Sequence, residues 1–130
     1  MSHHRETVTA DGAPAAVGPY SHAVKAAGLV FCSGQVPLDP ETGKLVEGDI
    51  GTQVRRCLDS LTAVAEAAGA TLSDAVRMKV YLTDMGDWQQ VNEAYGSYFA
   101  SEPPARVAIG VAALPLGARV EIDAVLALDE

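Results

Sequence analysis

The apolar residues between Asp49 and Gly69 recur at steps of three and four, the spacing that forms one hydrophobic stripe along a helix. On both sides of this segment they recur at steps of two, which is typical of strands with one buried face. Asp49 is placed to cap the start of the helix and Gly69 to end it. Because the helix stripe and the apolar strand faces must bury each other, the pattern predicts an α+β domain.

A second helix is predicted to begin after Asp84, its N-cap, and to end at Ser101–Glu102. Trp88, Val91 and Tyr95 form its apolar stripe. We expect one mixed β-sheet with both helices packed on one face. The predicted strands are Arg5–Thr9, Ala23–Ala27, Leu29–Ser33 and Val76–Leu82, followed by two C-terminal segments at 103–111 and 119–128.

The two C-terminal segments contain the residues that are most informative about chemistry. Val107 and Ile109 alternate with Arg106, so the guanidinium is predicted on the strand face opposite the branched side chains. Glu121 also faces away from the apolar side of its strand. If the segments paired as a hairpin through Leu114–Gly117, Arg106 would lie opposite Glu121. The alternative is a surface arginine and a surface glutamate on a solvated sheet face.

Ala108 and Gly110 favour a site over a merely solvated face. Both share a strand face with Arg106, and both are small enough to leave space beside the guanidinium. A solvated strand face more often carries Thr, Lys or Glu. The small residues therefore indicate a hollow next to a fixed positive charge.

Composition excludes several classes of protein. With 130 residues the chain has the size of one domain, which we place at 1–130. A net charge of -8 argues against a nucleic-acid partner, since such binding depends on clustered Lys and Arg. No apolar run is long enough to span a bilayer, so no membrane association is expected. Met1–Glu6 has no apolar segment of a secretory signal, and we expect a cytoplasmic protein.

The cysteines and the lone internal histidine do not suggest a catalytic or metal site. Cys32 and Cys57 lack metal-ligand spacing and are expected to be buried, reduced thiols. His22 has no nucleophile near it in the sequence and is expected to be solvated. Leu29 and Phe31 would be partly exposed on the sheet face away from the helices, so we expect that face to pack against copies of the chain in a closed homo-oligomer.

Three further positions can be interpreted either as site residues or as residues with only a structural role. Tyr20, in a Gly-Pro-Tyr loop, is by default a half-buried packing residue with its hydroxyl in water. Gly34 follows Ser33 at a strand end, where a glycine lets another group approach the main chain closely. Asn92 lies on the second helix, and a helix-surface asparagine is the more common outcome.

Together these segments resemble the RidA (YjgF-type) reactive-intermediate deaminases. The resemblance covers the chain from about Val8 to Leu126, and the arginine-to-glutamate spacing within alternating strands is its most specific part. The motifs that carry it are Gly18-Pro19-Tyr20-Ser21, Ser33-Gly34-Gln35-Val36-Pro37, Val91-Asn92-Glu93-Ala94-Tyr95, Pro104-Ala105-Arg106 and Val120-Glu121-Ile122.

The resemblance implies a chorismate-mutase-like α+β fold that assembles as a homotrimer around a central barrel-like core. The active sites would lie in clefts between subunits. The implied reaction is hydrolysis of 2-imino acids and their enamine tautomers, such as 2-iminobutanoate and 2-iminopropanoate, to 2-oxo acids and ammonia. No metal and no organic cofactor are expected.

The resemblance also implies a role for each matching residue. Arg106 would bind the substrate carboxylate, for which a planar guanidinium is well suited. Glu121 would position the attacking water and exchange protons with it. The other implied substrate-binding residues are Tyr20, Ser33, Gly34, Asn92 and Ala108. Many relatives have cysteine in place of Ala108; main-chain contacts there survive the change, so deamination is still expected.

Two alternatives remain open at this point. A non-catalytic protein could bind a 2-oxo acid or a related carboxylate in the same cleft, in which case Arg106 would matter and Glu121 would not. A ribonuclease, proposed for some relatives, is disfavoured by the acidic composition.

Overall fold

A computed structural model describes residues 4–128 of the chain. Three short 3₁₀ turns, Leu72–Asp74, Met85–Asp87 and Pro115–Gly117, lie between the main elements. The predicted domain 1–130 extends a few residues beyond the described range at each end. The main elements are β1 (Glu6–Val8), β2 (Ala23–Ala26), β3 (Leu29–Gln35), α1 (Ile50–Ala67), β4 (Ala75–Leu82), α2 (Trp88–Gly96), β5 (Ala105–Gly110) and β6 (Val120–Ala127).

The strands form one six-stranded sheet in the order β1-β2-β3-β6-β4-β5. All neighbouring pairs are antiparallel except β4 and β5, which are parallel. The sheet is therefore mixed, and α1 and α2 pack against each other and cover one of its faces. The predicted α+β class, with two helices on one side of a single sheet, is confirmed.

The first helix has the caps that the sequence predicted. The Asp49 carboxylate accepts the Thr52 N–H at 2.8 Å, and Gly69 adopts a left-handed φ of 87° after the helix ends. The α1 stripe meets alternate β6 residues in a core that excludes water. The central fully buried residues are Val54, Leu58, Leu61, Val64, Val120, Ile122 and Leu126.

Both thiols are free and buried, as predicted. Burial raises the pKa of Cys32 to about 12, and the Asp123 carboxylate acts in the same direction. Burial likewise raises the pKa of Cys57. Since the thiolate is the reactive form, neither cysteine is suited to nucleophilic chemistry in the folded state.

The hairpin considered for the two C-terminal strands does not form. β4 lies between β5 and β6, pairing parallel with the first and antiparallel with the second. The reason is the helix α2, which connects β4 to β5; parallel neighbours require such a crossover, whereas a tight turn joins only antiparallel ones. Arg106 and Glu121 are consequently not cross-strand partners.

The expectation that Arg106 and Glu121 face the same way is also wrong. Arg106 pairs with Met78, which is fully buried, so the guanidinium lies on the helix side of the sheet. Glu121 pairs with Tyr81 on the opposite, open face. Val107 and Ile109 lie on that open face, 37% and 40% exposed, and so on the side of β5 opposite Arg106, as their alternation predicted.

The second helix is shorter than predicted. Asp84 caps the 3₁₀ turn Met85–Asp87 by accepting the Gly86 N–H, and α2 itself begins at Trp88. It ends at Gly96 rather than at Ser101–Glu102. Beyond the glycine, a poor helix former, the chain continues in turns with hydrogen bonds between residues three apart.

His22 is buried rather than solvated, with 4% of its surface exposed. Its Nδ1 accepts the Ala10 N–H at 2.9 Å, so Nε2 carries the proton and donates to the Pro14 carbonyl at 2.8 Å. These two hydrogen bonds of the imidazole hold together the loop between β1 and β2. This role could not be read from the sequence, because both partners of His22 are main-chain atoms and every residue type has them.

The open face of the sheet carries exposed apolar side chains, among them Phe31, Val107 and Ile109. A flat apolar face of this kind is typical of a surface that contacts another protein. Neither helix described within residues 4–128 is both long and apolar enough to cross a bilayer.

Candidate active site

Arg106 is held in a fixed position by one face of α2. Its guanidinium carbon lies 4.7 Å from the centroid of the Trp88 ring and 4.9 Å from that of Tyr95. Asn92 lies between Trp88 and Tyr95 on the helix, and Arg106 Nη1 donates to its Oδ1 at 2.8 Å. The three helix residues are spaced by four and three positions and so project on the same side. Cation–π contacts with both rings, together with this hydrogen bond, restrict the position of the guanidinium.

The arginine remains available to an anion despite these contacts. Its side chain lies on an edge strand and stays solvent-exposed. The Asn92 oxygen occupies one of its five N–H donors, and a carboxylate needs two parallel ones. Phe99 packs on Tyr95 with 4.7 Å between the ring centroids, and this contact helps to hold the Tyr95 ring in place.

A cavity of about 410 Å³ lies on the other side of the molecule, next to β3 and β6. Within residues 4–128, Glu121 is the one charged residue that lines it. Tyr20, Ser33 and Gly34, all expected site residues, line the same cavity. The rest of its wall is apolar and consists of Val17, Val36, Leu38, Pro115 and Leu116.

Gly34 is required by the position of Glu121. A Cβ added to Gly34 would overlap Glu121 Oε2 and lie 3.0 Å from the carboxyl carbon. The β3–β6 register shifts between Cys32 and Gln35, which marks a bulge at this point. The close approach expected at Gly34 is therefore made by a side chain of the same protein.

Hydrogen bonds join the loop that carries Tyr20 to this bulge in β3. Ser33 Oγ donates to the Ser21 carbonyl at 2.6 Å, and the Ser33 N–H donates to the His22 carbonyl at 2.9 Å. His22 in turn binds Ala10 and Pro14. Ser33 thus holds the loop in place, and Tyr20, 48% exposed, lies at the wall of the cavity.

The Glu121 carboxyl lies in an environment that favours its protonated form. Burial raises its pKa, and the negative charge of Asp123, two residues along the same strand face, raises it further. Asp123 accepts a hydrogen bond from the Tyr81 hydroxyl at 2.9 Å. A carboxyl with a raised pKa exchanges protons near neutral pH more readily than an ordinary surface glutamate.

One chain does not bring all the expected residues together. They fall into two groups on opposite sides of the sheet, so an anion held by Arg106 is out of reach of Glu121 in the same chain. The guanidinium half-site consists of Trp88, Asn92, Tyr95, Arg106 and Ala108. The carboxyl half-site consists of Tyr20, Ser33, Gly34 and Glu121.

Some residues that contact Arg106 or line the Glu121 cavity were not identified from the sequence. Trp88 and Tyr95 were assigned only to a packing stripe, although their spacing around Asn92 could have indicated a shared partner. Leu116 and Val17 gave no signal beyond their apolar character. Among residues 4–128, no group of three or more His, Cys, Asp or Glu side chains is placed to bind a metal ion.

The family model described as Endoribonuclease L-PSP matches residues 10–128. The chain belongs to the RidA (YjgF-type) family. The resemblance seen in the motifs is thereby confirmed over nearly the whole chain. Within this family, the DfrA protein of Myxococcus xanthus is 49% identical over 123 residues, covering 93% of this chain and 94% of that protein.

A second relative is the mouse protein named 2-iminobutanoate/2-iminopropanoate deaminase. It is 45% identical over 121 residues, covering 93% of this chain and 90% of the mouse protein. The chain and its RidA relatives are thus similar over their whole domains and not through a short motif.

Solved RidA-family structures have the same fold. RidA from an Antarctic Psychrobacter superposes with a TM-score of 0.91 at 44% identity, covering 95% of this chain and 99% of that one. Escherichia coli TdcF, solved with bound serine, gives a TM-score of 0.90 at 34% identity, covering 95% and 99%. The six-stranded mixed sheet with two helices is therefore the family fold.

Proposed function

We propose that this protein hydrolyses 2-imino acids, with 2-iminobutanoate and 2-iminopropanoate as the simplest substrates. The mouse relative carries the name of this activity at 45% identity. The observation that carries the proposal is Arg106, whose guanidinium contacts two aromatic rings and one amide oxygen and keeps N–H donors for a carboxylate. Bound serine in TdcF supports an amino-acid-sized ligand for this fold.

The complete site is proposed to form between two copies of the chain. Arg106 and Glu121 lie on opposite sides of the sheet in one chain. A carboxylate bound by Arg106 of one copy would reach Glu121 only if the next copy presents its open face. Repeating such a head-to-tail contact closes a ring, and we propose a homotrimer with three equivalent sites. The exposed Phe31, Val107 and Ile109 are consistent with this packing.

In the proposed reaction, Arg106 binds the substrate carboxylate through two parallel N–H donors. Because Trp88, Asn92 and Tyr95 hold the guanidinium before the substrate arrives, little ordering is needed on binding. The carboxylate then fixes the direction in which the adjacent C=N carbon points. Orientation of this kind supplies a large part of the rate enhancement for an electrophile as reactive as an imine.

Glu121 is proposed to handle the protons. Its carboxylate takes a proton from the attacking water as the oxygen adds to the C=N carbon and passes that proton to the nitrogen, which gives a carbinolamine. It then takes the hydroxyl proton and delivers it to the nitrogen as the C=O bond forms, the C–N bond breaks and ammonia leaves. The balance is R–C(=NH)–COO⁻ plus H₂O giving R–CO–COO⁻ plus NH₃. A pKa raised by burial and by Asp123 suits a group that must both accept and donate within one cycle.

An amino-acid oxidase that generates the imine in situ, with semicarbazide to trap it, tests the proposal. Wild-type protein is expected to lower the rate of semicarbazone formation, and Arg106→Ala is expected to have no effect on it. Glu93→Gln, which removes a carboxylate from the exposed side of α2, is the control and should behave as wild type. Equal trapping with and without the wild-type protein would refute the activity.

Mixed oligomers test whether the site is shared. Arg106→Ala and Glu121→Gln are each expected to be inactive alone. If the two half-sites come from different copies, co-expression of the variants regenerates native sites at about one quarter of the interfaces, because random mixing pairs each intact half with the other at that frequency. No recovery in mixed particles, whose mass should be three times the 13.5 kDa chain, would show that the site is not shared.

The same assays separate this function from the two alternatives. A non-catalytic carboxylate-binding protein would bind 2-oxobutanoate with equal affinity after Glu121→Gln and would hydrolyse no imine. A ribonuclease would cleave RNA at low salt, which we do not expect from a chain of net charge -8.

A further inference from the structure

The mouth of the cavity that contains Glu121 is lined by exposed apolar side chains. Val17 and Leu116 are 79% and 62% exposed, more than the other large hydrophobic residues in the described part of the chain. Both line this one cavity, together with Pro115. Single exposed apolar residues need no explanation, but two of them at the rim of one cavity form a surface.

The backbone of Leu116 adds an independent observation. Its φ of 62° lies in the left-handed region, which costs a residue with a Cβ about 1 kcal/mol or more. Glycine or asparagine would adopt this conformation more easily. An exposed leucine contributes little to the core in return. A strained residue at the edge of a candidate site indicates a function for its side chain.

We propose that Val17 and Leu116 select the side chain of the substrate, and that this protein prefers 2-imino acids with branched aliphatic or aromatic side chains. This inference rests on the proposed function. With the carboxylate on Arg106 of one copy and the C=N carbon near Glu121 of the next, the substrate side chain must extend along the apolar wall formed by Val36, Leu38 and Pro115.

The size and charge of the cavity agree with this preference. Its volume of about 410 Å³ falls within the range of about 300–1,000 Å³ found for pockets that hold drug-sized ligands, which is more than a four-carbon imino acid fills. Glu121, the one charged residue among the described residues of the lining, would repel an acidic substrate side chain, and the apolar wall formed by Val36, Leu38 and Pro115 offers no hydrogen-bond partner to an amide one.

The test compares imines generated from leucine and from alanine, using wild type and Leu116→Gly. Glycine accepts the left-handed φ, so this variant removes the side chain without disturbing the turn. We expect the ratio of kcat/KM for the leucine-derived imine to kcat/KM for the alanine-derived imine to fall about tenfold, a typical effect of removing hydrophobic contacts to a substrate side chain. Equal losses for both substrates would overturn the inference.

Calorimetry gives a second measurement that does not depend on turnover. Wild type should bind 4-methyl-2-oxopentanoate more tightly than pyruvate, and Leu116→Gly should remove most of that difference. Equal affinities in wild type would overturn the inference even if imines are hydrolysed. Absence of turnover together with preserved binding selectivity would instead refute the proposed function alone. A changed oligomer mass in Leu116→Gly would show that the side chain serves a subunit contact, which also overturns the inference.

Discussion

The two half-sites are built in different ways. Arg106 is held by regular structure: three side chains on one face of α2 contact a guanidinium on the neighbouring strand. Glu121 depends on an irregularity, since its carboxyl fits only because Gly34 has no side chain at a bulge in β3. Activity should therefore fall gradually as contacts to Arg106 are removed one by one. In contrast, one methyl group added at Gly34 should be enough to disrupt the second half-site.

The largest effect is expected from Gly34→Ala. The new Cβ overlaps the Glu121 carboxyl and must displace it. If Glu121 handles the protons as proposed, a displacement of about 1 Å costs about a hundredfold in kcat/KM. Imine-trapping kinetics measure the loss. Gly96→Ala, whose Cβ would meet nothing within 4 Å, is the matched control and should retain wild-type kinetics. A variant of Gly34 with unchanged activity would remove the distinction between the half-sites.

The next largest effect is expected from Asn92→Asp. In the wild type, Arg106 Nη1 donates to the neutral Asn92 oxygen at 2.8 Å. The substitution places a negative charge at this position, so the aspartate competes with the substrate for the guanidinium. Loss of a charge-assisted hydrogen bond is worth about 1.5–3 kcal/mol, and KM should rise about tenfold to a hundredfold. Asn92→Ser keeps the site neutral and should show a much smaller rise. Equal KM values for the two variants would exclude competition by charge.

A smaller effect is expected from Trp88→Leu. The variant keeps an apolar residue on α2 but removes one of the two rings that face the guanidinium. An exposed cation–π contact is worth about 0.5–1 kcal/mol, so KM should increase about twofold to fivefold with kcat unchanged. Trp88→Phe should restore most of the affinity. A fall in kcat without a change in KM would mean that the ring acts on the chemical step.

The smallest effect is expected from Asp123→Asn, and it concerns pH. The Asp123 charge raises the pKa of Glu121, so its removal should lower that pKa and move the acidic limb of the kcat/KM profile to lower pH. The Tyr81 hydroxyl can still donate to the asparagine oxygen, which preserves the local geometry. Asp87→Asn, outside both half-sites, serves as the control. A limb that stays in place would show that burial alone sets the Glu121 pKa.

Sequence periodicity predicted those parts of the fold in which one face is buried and the other is not. The α1 stripe, its Asp49 cap and the buried face of β6 follow directly from the spacing of apolar residues. The β5 strand is different, because its branched apolar residues face an exposed sheet surface and Arg106 lies on the helix side. Alternation shows that two faces differ, but it does not show which one meets the core.

The site could be predicted residue by residue but not as an arrangement. The motifs indicated Arg106, Glu121, Gly34 and Asn92, yet strand order decides which of them lie near each other. That order arises from α2 crossing between β4 and β5, a contact between distant segments that local spacing does not encode. His22 was misjudged for a related reason, because its partners at Ala10 and Pro14 are main-chain atoms with no sequence signature.

The separation of Arg106 and Glu121 by the thickness of one sheet has a consequence at low concentration. If catalysis needs both, a lone subunit is an inert precursor, and the rate per chain depends on how much protein is present. Progressive dilution should then extinguish turnover at the concentration at which the particles dissociate, while each dissociated subunit keeps its fold. The amount of protein in the cell would itself act as a threshold for the activity.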